Sequence, residues 1–195
     1  MTEIYCKTDM EKHESHSLLM RALHMSRGVN PESRILRSEK GRPYLEGGSS
    51  FDFSISHTGN LWLCAVSDQQ TGLDVEAADR QIHNMKAISR RFFSPEEQVP
   101  ENNDCRPDAS DRAFLELWTR KEAFIKFLGE GILYGSSSLC TQTALQEGRV
   151  SFNVPLCRRM EKQLSDMYGK NVIISLCTAA EEEDFVIHSL DPGRE

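Results

Sequence analysis

Two acidic residues in the segment GLDVE (72–76) have the chemistry and spacing of a metal site. Asp74 and Glu76 are two positions apart, so on a strand both side chains point to the same face. Neighbouring carboxylates repel each other and are stabilised by a shared cation or by a proton on one of them. Oxygen ligands favour Mg²⁺, which commonly takes one or two carboxylates plus water and phosphate oxygens. The pattern predicts a Mg²⁺ site, unless the strand simply presents both acids to solvent.

The segment WTRKEAFIK (118–126) supplies further charged residues on a predicted helix. In helical projection, Glu122 lies about 80° and Lys126 about 120° from Phe114, at the edge of the apolar stripe. They form either an ordinary i,i+4 ion pair or a carboxylate and an ammonium available for chemistry. Lys121 falls at about −20°, inside the stripe, where it must either snorkel to water or meet an anion such as phosphate.

A histidine and a basic stretch complete the candidate residues. His57 lies at a predicted turn and is either a surface residue or part of a site near the two acids. The adjacent hydroxyl residues would then form a polar edge that faces phosphate; they are Ser54, Ser56 and Thr58. The basic stretch is either a solvated surface or a landing site for a phosphate-rich ligand. Its members are Arg34, Arg37, Lys40 and Arg42.

Three short strands are predicted to position the acids and the histidine. They are FDFSIS (51–56), LWLCAVS (61–67) and GLDVE (72–76). The first alternates apolar and polar residues, as a half-buried strand does. The short connections predict an antiparallel meander, in which Ser54 lies opposite Leu63 and Leu63 opposite Glu76. His57 is then expected at the same end of the sheet as the acids.

The remaining pattern alternates helices with short strands. We predict a helix over 12–26, two short strands within 33–46, a helix over 85–93, a helix start at SPEE (94–97), a polar loop over 100–111, a helix over 109–128 that ends at Gly129, a strand over 150–154, a helix over 156–168, and strands over 171–178 and 184–189. The fold class is therefore α+β. We expect two similar subdomains with antiparallel sheets, residues 1–70 and 71–195, related by a pseudo-twofold axis.

Composition limits the class of partner. The chain has 195 residues, 38% of them hydrophobic and 27% charged, which is typical of a globular protein. The net charge of −7 argues against nucleic acid and against an anionic membrane surface as the main partner. The six cysteines form no CxxC pair, and no apolar segment has the pattern of a signal peptide or a membrane span. We expect a cytoplasmic protein with reduced thiols.

The order and spacing of the motifs resemble those of the 4′-phosphopantetheinyl transferases, most closely the surfactin-synthetase-activating class. The resemblance covers about residues 41–135 and rests on GRPYL (41–45), FSISHTG (53–59), GLDVE (72–76), RRFFSPEE (90–97) and LWTRKEAFIKFLGEGI (117–132). Members of this family use Mg²⁺ to transfer phosphopantetheine from coenzyme A to a serine of an apo acyl or peptidyl carrier protein, with adenosine 3′,5′-bisphosphate as the other product. The resemblance thus implies a holo-carrier-protein synthase, with Mn²⁺ as an alternative to Mg²⁺.

The resemblance also implies roles for individual residues. It places Asp74, Glu76 and Glu122 around the metal, with Glu122 as general base on the carrier serine. Lys126 is implied to protonate or neutralise the leaving phosphate. The other residues implied to bind coenzyme A are Arg42 and Pro43 near the adenine, His57 and Lys121 at phosphates, Ser56 beside His57, and Arg34 or Arg37 for the 3′-phosphate. An arginine common in longer members is His16 here, which leaves the 3′-phosphate contact open.

Two other functions use most of the same residues. A Mg²⁺-dependent phosphohydrolase would cleave coenzyme A or a nucleotide with water as nucleophile, and a degenerate relative would bind carrier or coenzyme A as a scaffold.

The position of GLDVE after a complete leading half resembles the class in which two halves of one chain build the site. We therefore expect a monomer, with loops 77–89 and 98–110 facing the carrier.

Overall fold

The computed structural model describes residues 1–11, 13–97, 107–130, 141, 144, 147–148, 150–179 and 184–193. Within these ranges, side chains are not described at 96 and 107–111. Residues 100–106 of the predicted polar loop and most of the predicted carrier-facing loop 98–110 lie outside the described residues.

The elements within the described residues follow the expected α+β order, with one strand more at the start than the sequence predicted. They are β1 (Thr2–Lys7), α1 (Ser15–Arg27), β2 (Ile35–Arg37), β3 (Pro43–Leu45), β4 (Asp52–Thr58), β5 (Leu61–Ser67), β6 (Thr71–Ala77), α2 (Met85–Phe92), a 3-10 turn (Pro95–Glu97), α3 (Pro107–Leu128), α4 (Val154–Tyr168), β7 (Val172–Thr178) and β8 (Phe185–Ser189). The predicted strand over 150–154 is reduced to a single bridge between Ser151 and Thr178.

Capping residues mark the ends of the helices. The N-cap Asn153 of α4 accepts a hydrogen bond from the Leu156 amide at 2.9 Å, and Pro155 occupies the first turn. Gly129 stops α3 in the left-handed conformation at φ 73°, as predicted. At the predicted helix start SPEE, Glu97 accepts from the Ser94 amide at 3.1 Å, which is half of a capping box, but the described residues continue only as the 3-10 turn.

The pairing of β6 corrects the predicted three-stranded meander. Within the described residues, the strands form a sheet in the order β4-β5-β1-β8, a β2–β3 hairpin and a β6–β7 pair. Strand β6 therefore pairs with β7, and Asp74 lies opposite Ser175 rather than in a meander with β5. The β4–β5 turn has only two residues, which places Ser54 opposite Ala65 and Ser56 opposite Leu63. The predicted pairing of Ser54 with Leu63 was therefore wrong by two residues.

The two faces of β1 and β5 build two separate cores. One face packs on α1; its buried members include Tyr5, Trp62, Leu19 and Leu23. The other face packs on β6, β7 and α4; its buried members include Ile4, Leu63, Leu73, Met160 and Ile174. Helix α3 covers the opposite face of the β6–β7 pair, where Phe124 and Phe127 pack near Cys177. The β6–β7 pair therefore lies between the four-stranded sheet and α3.

The tail of the chain returns to the first sheet. Strand β8 pairs in parallel with β1, so the sheet built mainly from residues 1–70 also includes residues 185–189. The division at residue 70 and the pseudo-twofold relation of the halves stay predictions. None of the helices in the described part of the chain combines the length and apolar character needed to cross a membrane.

Candidate active site between β6 and α3

A glycine brings the β6 backbone directly against α3. A Cβ atom added at Gly72 would lie 2.0 Å from the Ala123 carbonyl oxygen and 2.5 Å from the Phe127 amide nitrogen. Only glycine fits such a close approach of two backbones. The contact places the acids of β6 beside the edge of α3 that carries Glu122 and Lys126.

Asp74 and Glu76 are both buried and both bonded to cationic side chains. Their exposed fractions are 6% and 7%. The Lys126 ammonium donates to Asp74 Oδ1 at 2.7 Å and to the Leu73 carbonyl at 3.0 Å. Arg80 donates to Glu76 Oε1. Each strand acid therefore has one oxygen in an ion pair.

Glu122 faces the same cluster from α3. Burial raises the pKa of the Glu122 carboxyl to about 7, and the negative charge of Asp74 adds to the shift. Glu76 raises this pKa further, while Lys126 opposes the change. The cluster thus holds three acids in a poorly solvated space, where an added cation or a proton relieves their repulsion.

The donor set fits a hard divalent cation. It consists of carboxylate oxygens, which Mg²⁺ and Mn²⁺ prefer. One of them, Asp74 Oδ2, is buried and has no hydrogen-bond partner among the described residues. As placed, no three His, Cys, Asp or Glu side chains in the described ranges already form a set that could hold a metal ion. Ion pairs with Lys126 and Arg80 take up one oxygen of Asp74 and one of Glu76 instead.

A ladder of hydroxyl groups on β4 positions the acids of β6. The hydroxyls of Ser54, Ser56 and Thr58 accept hydrogen bonds from the amides of every second β6 residue, at 2.9, 3.3 and 3.1 Å. The Ser56 hydroxyl also donates to Asp74 Oδ1 at 2.8 Å. Because these hydroxyls are buried, the polar face of β4 packs inward and fixes the register of β6 without backbone pairing.

A cleft of ≈ 280 Å³ opens beside the cluster, between the β2–β3 hairpin, β4 and the end of α3. Five of the predicted site residues line it, namely Arg37, Arg42, Pro43, Glu122 and Lys126. Lys40 also lines it and forms an ion pair with Glu130. The cleft therefore joins a basic hairpin to the acid cluster, and the arginine and lysine side chains of its wall are of the kind that binds phosphate.

Arg34 and His57 lie away from this cleft. Arg34 is 74% exposed at its side chain and lies 3.6 Å from Glu46. His57 is exposed near the end of β4, on the face opposite Ser56 and Thr58, because successive strand residues alternate. Neither lines the cleft. Their contacts with coenzyme A stay predictions.

Lys121 has a carboxylate partner inside the protein. Its ammonium donates to Glu97 Oε2 at 2.8 Å, and the two side chains are 1% and 0% exposed. Glu97 also accepts from the Thr141 amide at 2.7 Å. The anion predicted for the apolar stripe is thus supplied by Glu97, and the predicted phosphate contact of Lys121 stays a prediction.

Sequence reasoning missed several residues that shape the site. Arg80 forms an ion pair with Glu76 across the turn that follows β6, and the i,i+4 spacing does not predict it because neither residue is on a helix. The sequence indicates only a capping role for Glu97 and not its ion pair with Lys121. Asp52, which binds Arg42, was assigned only to the polar face of its strand.

The comparisons with known proteins agree with the motifs. The family model of the 4′-phosphopantetheinyl transferase superfamily matches residues 70–177. The chain is similar to the 4′-phosphopantetheinyl transferase psf-1 of Bacillus pumilus, with 33% identity over 71% of this chain and 58% of the relative. A 4′-phosphopantetheinyl transferase of Bacillus subtilis is 29% identical over 77% of this chain and 68% of its own length.

A vertebrate relative extends the range of similarity. The L-aminoadipate-semialdehyde dehydrogenase-phosphopantetheinyl transferase of Xenopus laevis is 35% identical over 59% of this chain and 42% of its own. This chain therefore belongs to the 4′-phosphopantetheinyl transferase superfamily. Its match spans well under the full length of the Bacillus pumilus relative.

Proposed function

We propose that this protein transfers the 4′-phosphopantetheine group from coenzyme A to a serine of an apo acyl or peptidyl carrier protein, in a Mg²⁺-dependent reaction. The observation that carries the proposal is the meeting of Asp74, Glu76, Glu122 and Lys126 beside a cleft with a basic wall. Membership in the superfamily supports the same activity. Mn²⁺ would serve in place of Mg²⁺.

In the proposed reaction, the serine oxygen attacks the phosphorus that carries the pantetheine arm. A new P–O bond to serine forms, and the pyrophosphate P–O bond breaks. Adenosine 3′,5′-bisphosphate leaves with the bridging oxygen. The serine proton needs a base within hydrogen-bond reach, and the Glu122 carboxylate, which lines the cleft, would accept it.

The cations of the site offset the charge that develops on the leaving group. Lys126 would shift its ammonium from Asp74 toward the departing phosphate oxygen and stabilise or protonate it. Asp74, Glu76 and Glu122 would hold the divalent cation, which neutralises charge on the pyrophosphate oxygens. Arg37 and Lys40 line the wall of the cleft and would contact phosphates there.

One chain supplies all of these residues, which supports action as a monomer in which both halves contribute to the cleft. The four cysteines within the described residues are buried and form no disulfide there, which is consistent with a cytoplasmic, reducing location. Nucleic acid and membrane are not part of the proposed function. The partner is an apo-carrier.

Intact-mass spectrometry of apo-carriers tests the proposal. Incubation with coenzyme A and Mg²⁺ is expected to add one phosphopantetheine mass to the carrier and release one equivalent of adenosine 3′,5′-bisphosphate, and EDTA should stop both. Cleavage of coenzyme A without any modified carrier, across acyl and peptidyl carriers, would show a phosphohydrolase instead. Binding without turnover of either kind would show a scaffold.

A further inference from the structure

The end of α3 determines where Lys126 lies. The helix closes with two bonds of a Schellman turn: the Gly129 amide donates to the Lys126 carbonyl and the Glu130 amide to the Ile125 carbonyl, both at 3.1 Å. The Phe127 carbonyl receives neither bond and needs donors from elsewhere. The last turn of α3, which carries Lys126, therefore depends on groups outside the helix for a donor to the Phe127 carbonyl.

Arg42 supplies those donors. One of its terminal nitrogens, Nη1, donates to the Lys126 carbonyl at 2.8 Å and to the Phe127 carbonyl at 2.7 Å. The Gln70 side chain donates to the Phe127 carbonyl as well. A guanidinium at a helix C-terminus also interacts favourably with the partial negative charge there. The carbonyls at the end of α3 are thus fixed from the N-terminal half.

The other terminal nitrogen of Arg42 reaches the start of β6. It donates to the Asp52 carboxylate and, at 3.4 Å, to the Thr71 carbonyl. Asp52 in turn accepts from the Thr71 amide at 2.8 Å. Arg42 and Asp52 together therefore hold the first residue of the strand that carries Asp74.

We propose that Arg42 is a positioning residue that clamps the end of α3 to the start of β6, and so holds Lys126 in reach of Asp74. The inference rests on the proposed function and changes the role expected for this arginine, because its guanidinium donates hydrogen bonds to groups of the protein itself. A planar fork is needed to bridge three carbonyls and a carboxylate, so lysine would not replace it.

Steady-state kinetics of Arg42→Met and Asp52→Asn separate positioning from ligand binding. Misplacement of a reacting group by about 1 Å can cost about 100-fold in rate. We expect kcat to fall about 10-fold or more in both variants, with the KM for coenzyme A changed by less than about three-fold. Arg42→Lys should behave like Arg42→Met. Arg21→Met removes another arginine that donates to a backbone carbonyl, Leu190 at 3.1 Å, and is the matched control.

Hydrogen exchange gives a readout that does not need turnover. Peptides covering residues 122–130 should exchange faster in Arg42→Met and in the milder Asp52→Asn, while peptides from α1 should not change. Unaltered exchange at the end of α3, or a rise in KM that exceeds the fall in kcat, would overturn the proposal. If the wild-type protein modifies no carrier, the proposed function fails, and the exchange experiment still decides whether Arg42 clamps the helix.

Discussion

Lys121 illustrates how a charged side chain is accommodated in an apolar stripe by a buried partner of opposite charge. Breaking a buried ion pair by removing one partner costs about 3–5 kcal/mol, because the other charge stays buried alone. Glu97 is fully buried and would be left in that state. The pair therefore joins the turn after α2 to the middle of α3.

We expect Lys121→Met to lower the free energy of unfolding by about 3–5 kcal/mol in urea denaturation. The double variant with Glu97→Gln should recover part of this loss, since no charge then remains buried. Asp184→Asn, which removes an exposed ion pair with Arg159, should change stability by less than about 1 kcal/mol. Wild-type stability together with a raised KM for coenzyme A would instead favour the phosphate contact predicted for Lys121.

The close contact between strand β6 and helix α3 explains why a glycine, Gly72, precedes the acids Asp74 and Glu76. Two backbones approach closely enough at Gly72 that a methyl group has no room. The separation between the acids of β6 and the edge of α3 depends on this contact.

Gly72→Ala should therefore destabilise the protein by about 3 kcal/mol, at the upper end of overpacking costs, and lower kcat in any molecules that fold. Thermal and urea unfolding measure the first effect. Gly47→Ala is a suitable control, because nothing lies within 4 Å of the added methyl group and only backbone strain at φ 85° remains. Equal costs for the two variants would refute the close-packing explanation.

Local elements could be predicted from sequence because their signals are local. The apolar spacing of α1 and the glycine after α3 match the structure closely. Strand pairing could not be predicted in this way, since β6 pairs with a strand about 100 residues later in the chain. The inward-facing hydroxyls of β4 contradict the usual expectation that polar faces meet solvent, which is why their bonds to β6 were not predicted.

Residue chemistry alone marks the acids of β6 and the charged edge of α3 as separate candidates, and only the resemblance to the family implies that they share one site. Asp74, Glu76, Glu122 and Lys126 do lie in one cluster. Arg42 lines the cleft as expected, but the partners of its guanidinium depend on a tertiary contact with the end of α3. Helical projection identified Lys121 as unusual, yet only the fold shows that Glu97 is its partner.

At the level of the whole molecule, the segment that follows β8 binds the end of β1. Beyond β8, the Asp191 carboxylate accepts from Lys7 at 2.8 Å and from the Thr8 amide and hydroxyl at 3.1 and 2.7 Å. The Leu190 amide donates to the Cys6 carbonyl at 2.7 Å. These contacts tie the tail to the end of β1.

Asp191 should make stability depend on pH. Burial alone would raise its pKa, but hydrogen bonds from Lys7 and Thr8 outweigh it and lower the pKa below 3.8. The Asp191 carboxyl holds its proton less tightly in the folded state than in the unfolded state, so its contribution to folding stability is fully present above pH 3.8. This contribution is lost as the pH falls through the lowered pKa of the folded state. Asp191→Asn should be less stable than wild type at pH 7 and similar in acid. A stability difference that does not depend on pH would contradict this assignment.

The central claim is that the acids of β6 and α3 carry out transfer to a carrier serine, and one comparison by mass spectrometry tests it most directly. Glu122→Gln and Glu116→Gln replace two acids on the same helix, one in the cluster and one in a surface ion-pair network with Arg112 and Arg158. With equal amounts of folded protein, coenzyme A, Mg²⁺ and apo-carrier, we expect wild type and Glu116→Gln to add phosphopantetheine to the carrier. Glu122→Gln should leave the carrier in its apo form. Full modification of the carrier by Glu122→Gln would contradict the account.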